Sequence, residues 1–380
     1  YLYLALGLMI SVGGVVIAGM ALGSGDNRTC NSVFNQTMFT VILLTVLLSI
    51  VVWFCLNPML RVLHADGDVA VFFKDYYGIM LVQLPVMVIN SSYGMFIRGE
   101  GKPQYFMQVN ILNVLLNIFL DYLFVRWFGW GVKGIALASL LAGAVTLVCI
   151  LYFFLKKSTV YKLGRFEFSR MVCKDTLLNG SSEFIGEISL SISMFAYNFV
   201  ILRNIGIEGV TAFTIVGYIA FIFSMVTIGF GQGASSLISF TYGAGERGLT
   251  KEVRRITNIM VLGAGAAVML FVLGGSEWYG SLFVKNDTVV QMVRSGAGIY
   301  AFSFLFSGIN VINSFYFTSI GRAMESAVIS SSRGLVLLLI FIFILPPFLG
   351  MTGVWLVAPL TEVLTLFLGL FFIRKADSGA

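Results

Sequence analysis

Charge is the scarcest resource in this sequence. Only 11% of its 380 residues are Asp, Glu, Lys or Arg, against about a quarter in soluble domains. That scarcity counts against a water-soluble enzyme. The four cysteines (Cys30, Cys55, Cys149 and Cys173) show no C-x-x-C spacing, and His64 is the single histidine. A Cys/His metal cluster and a disulfide scaffold are therefore excluded. No nucleophile–base constellation and no G-x-x-x-x-G-K-[ST] loop is present, so the chain is not read as an enzyme and ATP does not drive it directly. No resident cofactor is expected. No basic stripe stands outside the loops, so no nucleic-acid partner is expected either.

Apolar residues take the space that charge leaves. They make up 58% of the chain, and the mean hydropathy is +0.94. A spanning helix needs about 20 mostly apolar residues. Eleven runs of that kind lie near residues 1–22, 36–60, 76–98, 104–126, 131–155, 177–202, 208–242, 256–284, 290–317, 324–347 and 351–373. The expected fold is an all-α polytopic membrane protein, with the lipid bilayer as its first partner. The longest polar connection, 156–176, separates an N-terminal lobe (1–155) from a C-terminal lobe (177–380). Sorted by alternate loops, 16 of the 24 Lys and Arg fall on one side and seven on the other. The positive-inside rule then places the 156–176 linker and the C-terminus in the cytoplasm, in a multi-pass protein of the cell membrane.

The sequence repeats itself. Gly13-Gly14 through Gly25-Asp26 resembles Gly233-Ala234 through Gly245-Glu246, and Gly101-Lys102 resembles Gly321-Arg322, both at an offset of 220. Gly131-x-x-Gly134 then matches Gly350-x-x-Gly353 at 219. Two six-helix lobes in the same orientation, as parallel repeats, are a transporter architecture. On that offset the first helix of the N-terminal lobe is missing, and twelve helices are expected in the intact protein against about eleven here.

Ionisable side chains within apolar helices are costly, and each is a functional candidate. Asn110, Asn113, Asn117 and Asp121 are spaced three and four apart and share one helix face. Asp121 lies roughly 24 Å from the start of its helix at 1.5 Å per residue. A carboxylate with amides one turn away offers hard oxygens to a small cation such as Na⁺, or a proton site in an apolar surround. The plainer alternative is an acid at the outer water interface with packing asparagines. Glu183 and Glu187 form an i, i+4 pair, with Glu187 roughly 14 Å inside. They are candidates for proton or substrate handling, or else one interfacial and one buried acid. Arg333 and Glu362 lie at similar depths on consecutive helices and are expected to form a structural ion pair. The 55 aromatic residues and 16 Met suit a lipid-facing protein, and some of them suit a cleft for flat organic cations.

These residues together resemble a known family. Arg98-Gly-Glu-Gly-Lys-Pro-Gln, Asn117-Ile-Phe-Leu-Asp121-Tyr, Phe128-Gly-Trp-Gly-Val-Lys-Gly134 through Ser139, Gly229-Phe-Gly-Gln-Gly-Ala-Ser-Ser and Ser319-Ile-Gly-Arg through Arg333 are similar to MATE (multidrug and toxic compound extrusion) transporters, in the flavour of the bacterial DinF and MepA-like branch. The resemblance implies two six-helix lobes around a V-shaped cleft, with Na⁺ or H⁺ entry driving drug exit. It implies an N-lobe cation site to which Asn117, Asp121 and Ser139 belong, with Asn113 one turn away. It also implies a C-lobe acid, for which Glu187 stands in the right helix. The expected function is a cation-coupled antiporter, Na⁺ or H⁺ being the coupling ion. Its expected substrates are small organic cations and drugs, and its expected state is a monomer. The alternative is a lipid-linked saccharide flippase of the same superfamily, which would want a basic cleft for pyrophosphate.

Overall fold

The computed structural model describes residues 2–62, 68–164 and 166–378; His64 lies outside them. Twelve α-helices follow one another among the described residues. They are α1 (Leu2–Gly23), α2 (Asn27–Val62), α3 (Asp68–Gly99), α4 (Pro103–Tyr122), α5 (Gly131–Tyr152), α6 (Arg170–Asn204), α7 (Ile207–Gly243), α8 (Arg247–Phe283), α9 (Asp287–Ala301), α10 (Ser303–Ser319), α11 (Ala323–Ser331) and α12 (Leu337–Ser378). Single π-helical turns follow α4 (Leu123–Trp127), α5 (Phe153–Lys157) and α11 (Ser332–Val336).

Several helices run beyond their apolar windows. α2 begins at Asn27 rather than 36, α6 at Arg170 rather than 177, and α8 at Arg247 rather than 256. These polar first turns are helical because hydrophobicity marks the membrane layer and not the helix end. The expected helix 290–317 is two, α9 and α10, bent by 45°. No Pro or Gly stands at the bend. The Ser303 hydroxyl donates to the Tyr300 carbonyl at 2.7 Å, and a polar side chain competing for a helix carbonyl is a recognised cause of bending.

Nine helices among the described residues are long and apolar enough to cross a membrane, and the bent pair α9–α10 adds a tenth. One of the nine, Ala323–Ser378, has 56 residues and would be roughly 84 Å long if straight, nearly three bilayer cores. It is not straight. Gly350 stands at φ 57°, ψ −136°, a conformation open to glycine. A Cβ on Gly353 would lie 2.6 Å from the Leu345 carbonyl oxygen, so the chain folds back on itself there. Counting both limbs, and the bent pair as one span, eleven segments among the described residues are long and apolar enough to cross.

The chain divides into two compact units, Leu2–Gly180 and Ser181–Ala380. Phe34 centres the core of the first, with the rings of Phe96, Phe154 and Tyr161 at 4.9, 5.1 and 5.2 Å. In the same unit α1 and the start of α6 touch through their backbones: a Cβ on Gly180 would sit 1.7 Å from the Met9 carbonyl oxygen, and one on Gly13 would sit 2.0 Å from that of Thr176. Small residues are what allow helices to approach so closely in an apolar solvent. The second unit has its core around Val293, Ala297, Phe223 and Trp355.

The repeat is visible in the backbone. Gly25 and Gly245 have φ 80° and 81°, Gly101 and Gly321 have 78° and 77°, and Gly131 and Gly350 have 53° and 57°. The first two pairs close the same helix-ending turn. Asp26 N donates to Ala21 O and Glu246 N to Thr241 O, while Lys102 N donates to Ile97 O and Arg322 N to Phe317 O.

The connection after α5 is not slack. Asn31 donates to Val160 O and accepts from Lys162 N. Asn35 does the same with Lys162 O and Gly164 N, and Gln36 with Ser169 O and N. The Glu100 carboxylate accepts from the Ser158 hydroxyl and from the Thr159 and Val160 amides. The segment is thus tied to α2 and to the α3–α4 turn, and Tyr161 is buried in the core. Burial pushes the Tyr161 hydroxyl well above its ordinary pKa.

Candidate cation and substrate sites

In the first unit the candidate site is built on α4 and α5. α4 turns Ile111, Leu115, Ile118 and Phe119 outward, each more than half exposed, a face suited to lipid. Asn110, Asn113, Asn117 and Asp121 lie on the partly buried side. Asn117 Nδ2 reaches across to the Ser139 hydroxyl on α5 at 3.2 Å, which leaves Asn117 Oδ1 as an acceptor. Asp121 Oδ1 is buried and has no hydrogen-bond partner. Asn110 bonds back to its own helix at Phe106 O. Asn113 makes no side-chain hydrogen bond among the described residues. Four residues expected on one face are on one face, and one of them is joined to Ser139. A buried carboxylate oxygen without a donor, one turn from an amide that itself reaches a hydroxyl, offers oxygens of the kind that suit Na⁺ or a proton. A π-helical turn begins two residues after Asp121, and such turns are frequent at functional sites.

In the second unit Arg333 and Glu362 meet. Arg333 Nη2 lies 2.7 Å from Glu362 Oε1 and Nε 3.1 Å from the same oxygen. Arg333 sits on the π-helical turn Ser332–Val336, and Ser193 of α6 donates to the Gly334 carbonyl of that turn. Asn310 of α10 holds Glu362 twice, to its carbonyl oxygen and to Oε2, both at 2.8 Å. Glu183 and Glu187 stand half-buried one turn apart on α6. Because α6 starts at Arg170, each lies roughly 10 Å farther along its helix than a start at 177 suggests.

Sequence reading missed Asn310 and its counterpart. Asn90 is 220 residues earlier and donates to Gly143 O at 2.9 Å. The offset that pairs the glycines pairs these asparagines too, so the signal was present. It also sets Asn113 opposite Arg333, and Gly143 opposite Glu362 at 219. The ion pair of one repeat is an amide and a glycine in the other. Also missed was a run of hydroxyls in the second unit, Ser182, Ser314, Thr318, Ser326 and Ser330, joined by hydrogen bonds of 2.8–3.0 Å.

Two helical repeats, each with polar and charged side chains buried among apolar helices, define a multi-pass membrane transporter. The MatE family model matches residues 1–123 and 184–344, and the chain belongs to the MatE family. It is 20% identical over 372 residues to the multidrug export protein MepA of Staphylococcus haemolyticus, covering 97% of this chain and 82% of that one. To human multidrug and toxin extrusion protein 1 it is 21% identical over 317 residues, covering 79% of this chain and 55% of that one. A solved MOP superfamily transporter from Pyrococcus furiosus shares the fold, with a TM-score of 0.93 at 23% identity over 99% of this chain and 85% of that one. An outward-facing multidrug resistance MATE family transporter matches equally well, at 0.93 and 24% identity over 100% and 85%.

Proposed function

We propose that this chain exports organic cations across the cell membrane in exchange for Na⁺ or H⁺, by alternating access, as a monomer with its C-terminus in the cytoplasm. The observation that carries this reading is the buried, unpartnered Asp121 oxygen one turn from Asn117, which bonds Ser139. A cation or proton that settles there neutralises the carboxylate and binds one conformation better than the other, which is what coupling requires. The names of its relatives, a multidrug export protein and a multidrug and toxin extrusion protein, support a drug-like substrate. The positive bias of alternate loops supports the orientation. While Glu362 is ionised it neutralises Arg333, which then offers no free charge to a lipid pyrophosphate and speaks against a flippase.

The test is transport by the full-length protein in liposomes. Ethidium movement is followed under an imposed Na⁺ gradient and then an imposed H⁺ gradient. Uptake under one of them, abolished by Asp121→Asn, is the expected result. Folded protein that moves no dye under either gradient overturns the reading.

A further inference from the structure

Five hydroxyl groups in the second unit form one continuous hydrogen-bonded chain. Ser182 Oγ of α6 lies 3.0 Å from Thr318 Oγ1 of α10. Thr318 Oγ1 lies 2.8 Å from Ser326 Oγ of α11, Ser326 Oγ 2.8 Å from Ser314 Oγ, and Ser314 Oγ 2.8 Å from Ser330 Oγ. Ser182, Ser314, Thr318 and Ser326 are buried. The chain starts at the last turn of α10, beside the Gly321 turn, and ends at Ser330, one helical turn before Arg333 and its partner Glu362.

The fold does not require hydroxyls at this place. The repeat sets Gly94 opposite Ser314, Arg98 opposite Thr318, Phe106 opposite Ser326 and Asn110 opposite Ser330. In the first unit the Phe106 ring lies against Gly94, 2.0 Å from where a Cβ would be, and the Arg98 guanidinium lies over that ring at 5.0 Å. The same helix junction is packed with an aromatic ring in one repeat and with a hydroxyl chain in the other. At the far end, Asn310 Nδ2 donates to Glu362 Oε2 while Asn310 Oδ1 is buried and has no partner. That oxygen is an acceptor waiting for a donor, and a protonated Glu362 supplies one.

We propose that this chain of hydroxyls is a proton relay serving Glu362. The proposal rests on the ion-coupled reading above and deepens it, since it commits the second unit to H⁺. Thr318 and Ser326 also donate to the Ser314 carbonyl, at 3.2 and 2.9 Å; turned to its neighbour, each hydroxyl takes a proton from one side as it releases its own to the next. Only O–H bonds form and break. One proton enters at the Ser182–Thr318 end, and one leaves Ser330, one helical turn before Arg333, to end on the Glu362 carboxylate that Arg333 holds. Protonated Glu362 then gives up its charge pairing with Arg333 and donates to Asn310 Oδ1. Besides Arg333, the Tyr197 hydroxyl of α6 and the Tyr300 hydroxyl of α9 face Glu362; the charged groups on the surrounding elements include Glu183 and Glu187 on α6, the Arg322–Glu325 pair at 3.9 Å, and Lys251 and Arg254 on α8. Lys251 is engaged by Asp377 at 2.8 Å and Arg254 by the Tyr316 ring; α10 itself carries no charge.

The experiment uses full-length protein in liposomes with pyranine inside, a pH step across the membrane and ethidium on the opposite side. Thr318→Val keeps the side-chain shape and removes the hydroxyl; Thr318→Ser keeps the hydroxyl. Ser314→Ala breaks the chain at a second point. The relay predicts that proton flux falls about tenfold or more in Thr318→Val and Ser314→Ala, a conservative share of what a positioned proton-transfer group contributes. It predicts recovery in Thr318→Ser and a larger H₂O/D₂O rate ratio in the slowed variants, which a merely structural role would not produce. Equal proton flux in wild type and Thr318→Val overturns the relay. Dye movement driven by Na⁺ without proton flux overturns it and leaves the proposed function standing. Hydroxyl-dependent proton flux without dye movement supports the relay and overturns the substrate assignment.

Discussion

Gly143 and Glu362 occupy one place in the two repeats, and an asparagine marks it in both. Asn90 donates to the Gly143 carbonyl at 2.9 Å and Asn310 to the Glu362 carbonyl at 2.8 Å. Around that shared bond the repeats have diverged. Asn113 and Gly143 leave one of them uncharged, while Arg333 and Glu362 put an ion pair into the other.

The divergence predicts an exchange experiment. Glu362→Gly strands the Arg333 guanidinium and should destabilise the protein by about 3 kcal/mol, the usual cost of breaking a largely buried pair from one side. Adding Arg333→Asn installs the amide and glycine found in the first repeat and should recover most of that loss. Thermal unfolding of both variants in detergent micelles measures it. A double variant as unstable as the single one would mean that the pair is needed for more than neutralisation.

Asp121→Asn should keep the melting temperature of the wild type and lose gradient-driven ethidium transport. Its buried oxygen has no hydrogen bond to lose, so the amide costs the fold little. Retained transport would remove Asp121 from the coupling site.

Gly180→Ala should be among the most damaging small substitutions in the chain. The new methyl would meet a backbone oxygen on α1, which has no rotamer to give way. A loss of about 2–3 kcal/mol is expected from overpacking, read as a lowered unfolding temperature. Gly25→Ala, at an open turn with nothing within 4 Å, is the control; its cost is limited to a strained positive φ, about 1–2 kcal/mol.

Glu100→Ala should loosen the connection after α5. Removing the carboxylate leaves the Thr159 and Val160 amides without their acceptor. Hydrogen exchange at 158–164 should quicken about tenfold or more, the rate equivalent of a little over 1 kcal/mol of local opening. The helices of the same unit should exchange as before. Uniform acceleration would show instead that the segment supports the whole unit.

Much of this architecture was legible as hydropathy and glycine spacing. Membrane helices must be apolar for about 20 residues, so α1 to α8 announce themselves. The turns at Gly25, Gly101 and Gly131 demand positive φ, so their counterparts at Gly245, Gly321 and Gly350 had to remain glycine. The spacing of Asn110 to Asp121 gave a face because helix geometry leaves no other arrangement. The bend at Ser303 was not legible, since a serine bonding to Tyr300 O looks like any other serine in a helix. The hydroxyl chain escaped for the same reason: Ser and Thr are tolerated anywhere in such helices, and only packing brings α6, α10 and α11 together. The ties between α2 and the segment 158–169 carry no periodicity, because the amide side chains of Asn31, Asn35 and Gln36 bond to backbone, which has no sequence.

The reversal at Gly350 also sets where the last limb of the chain ends relative to the helices before it. Phe348, Leu349 and Met351 flank it, and no charged residue lies between Arg333 and Glu362, so the turn is written in the same alphabet as the helices it joins. Read as one long helix, Ala323–Ser378 contributes an odd crossing where two exist. The parity of the whole chain then changes, and its last residues are assigned to the opposite face of the membrane. One left-handed glycine therefore carries the sidedness of everything after it.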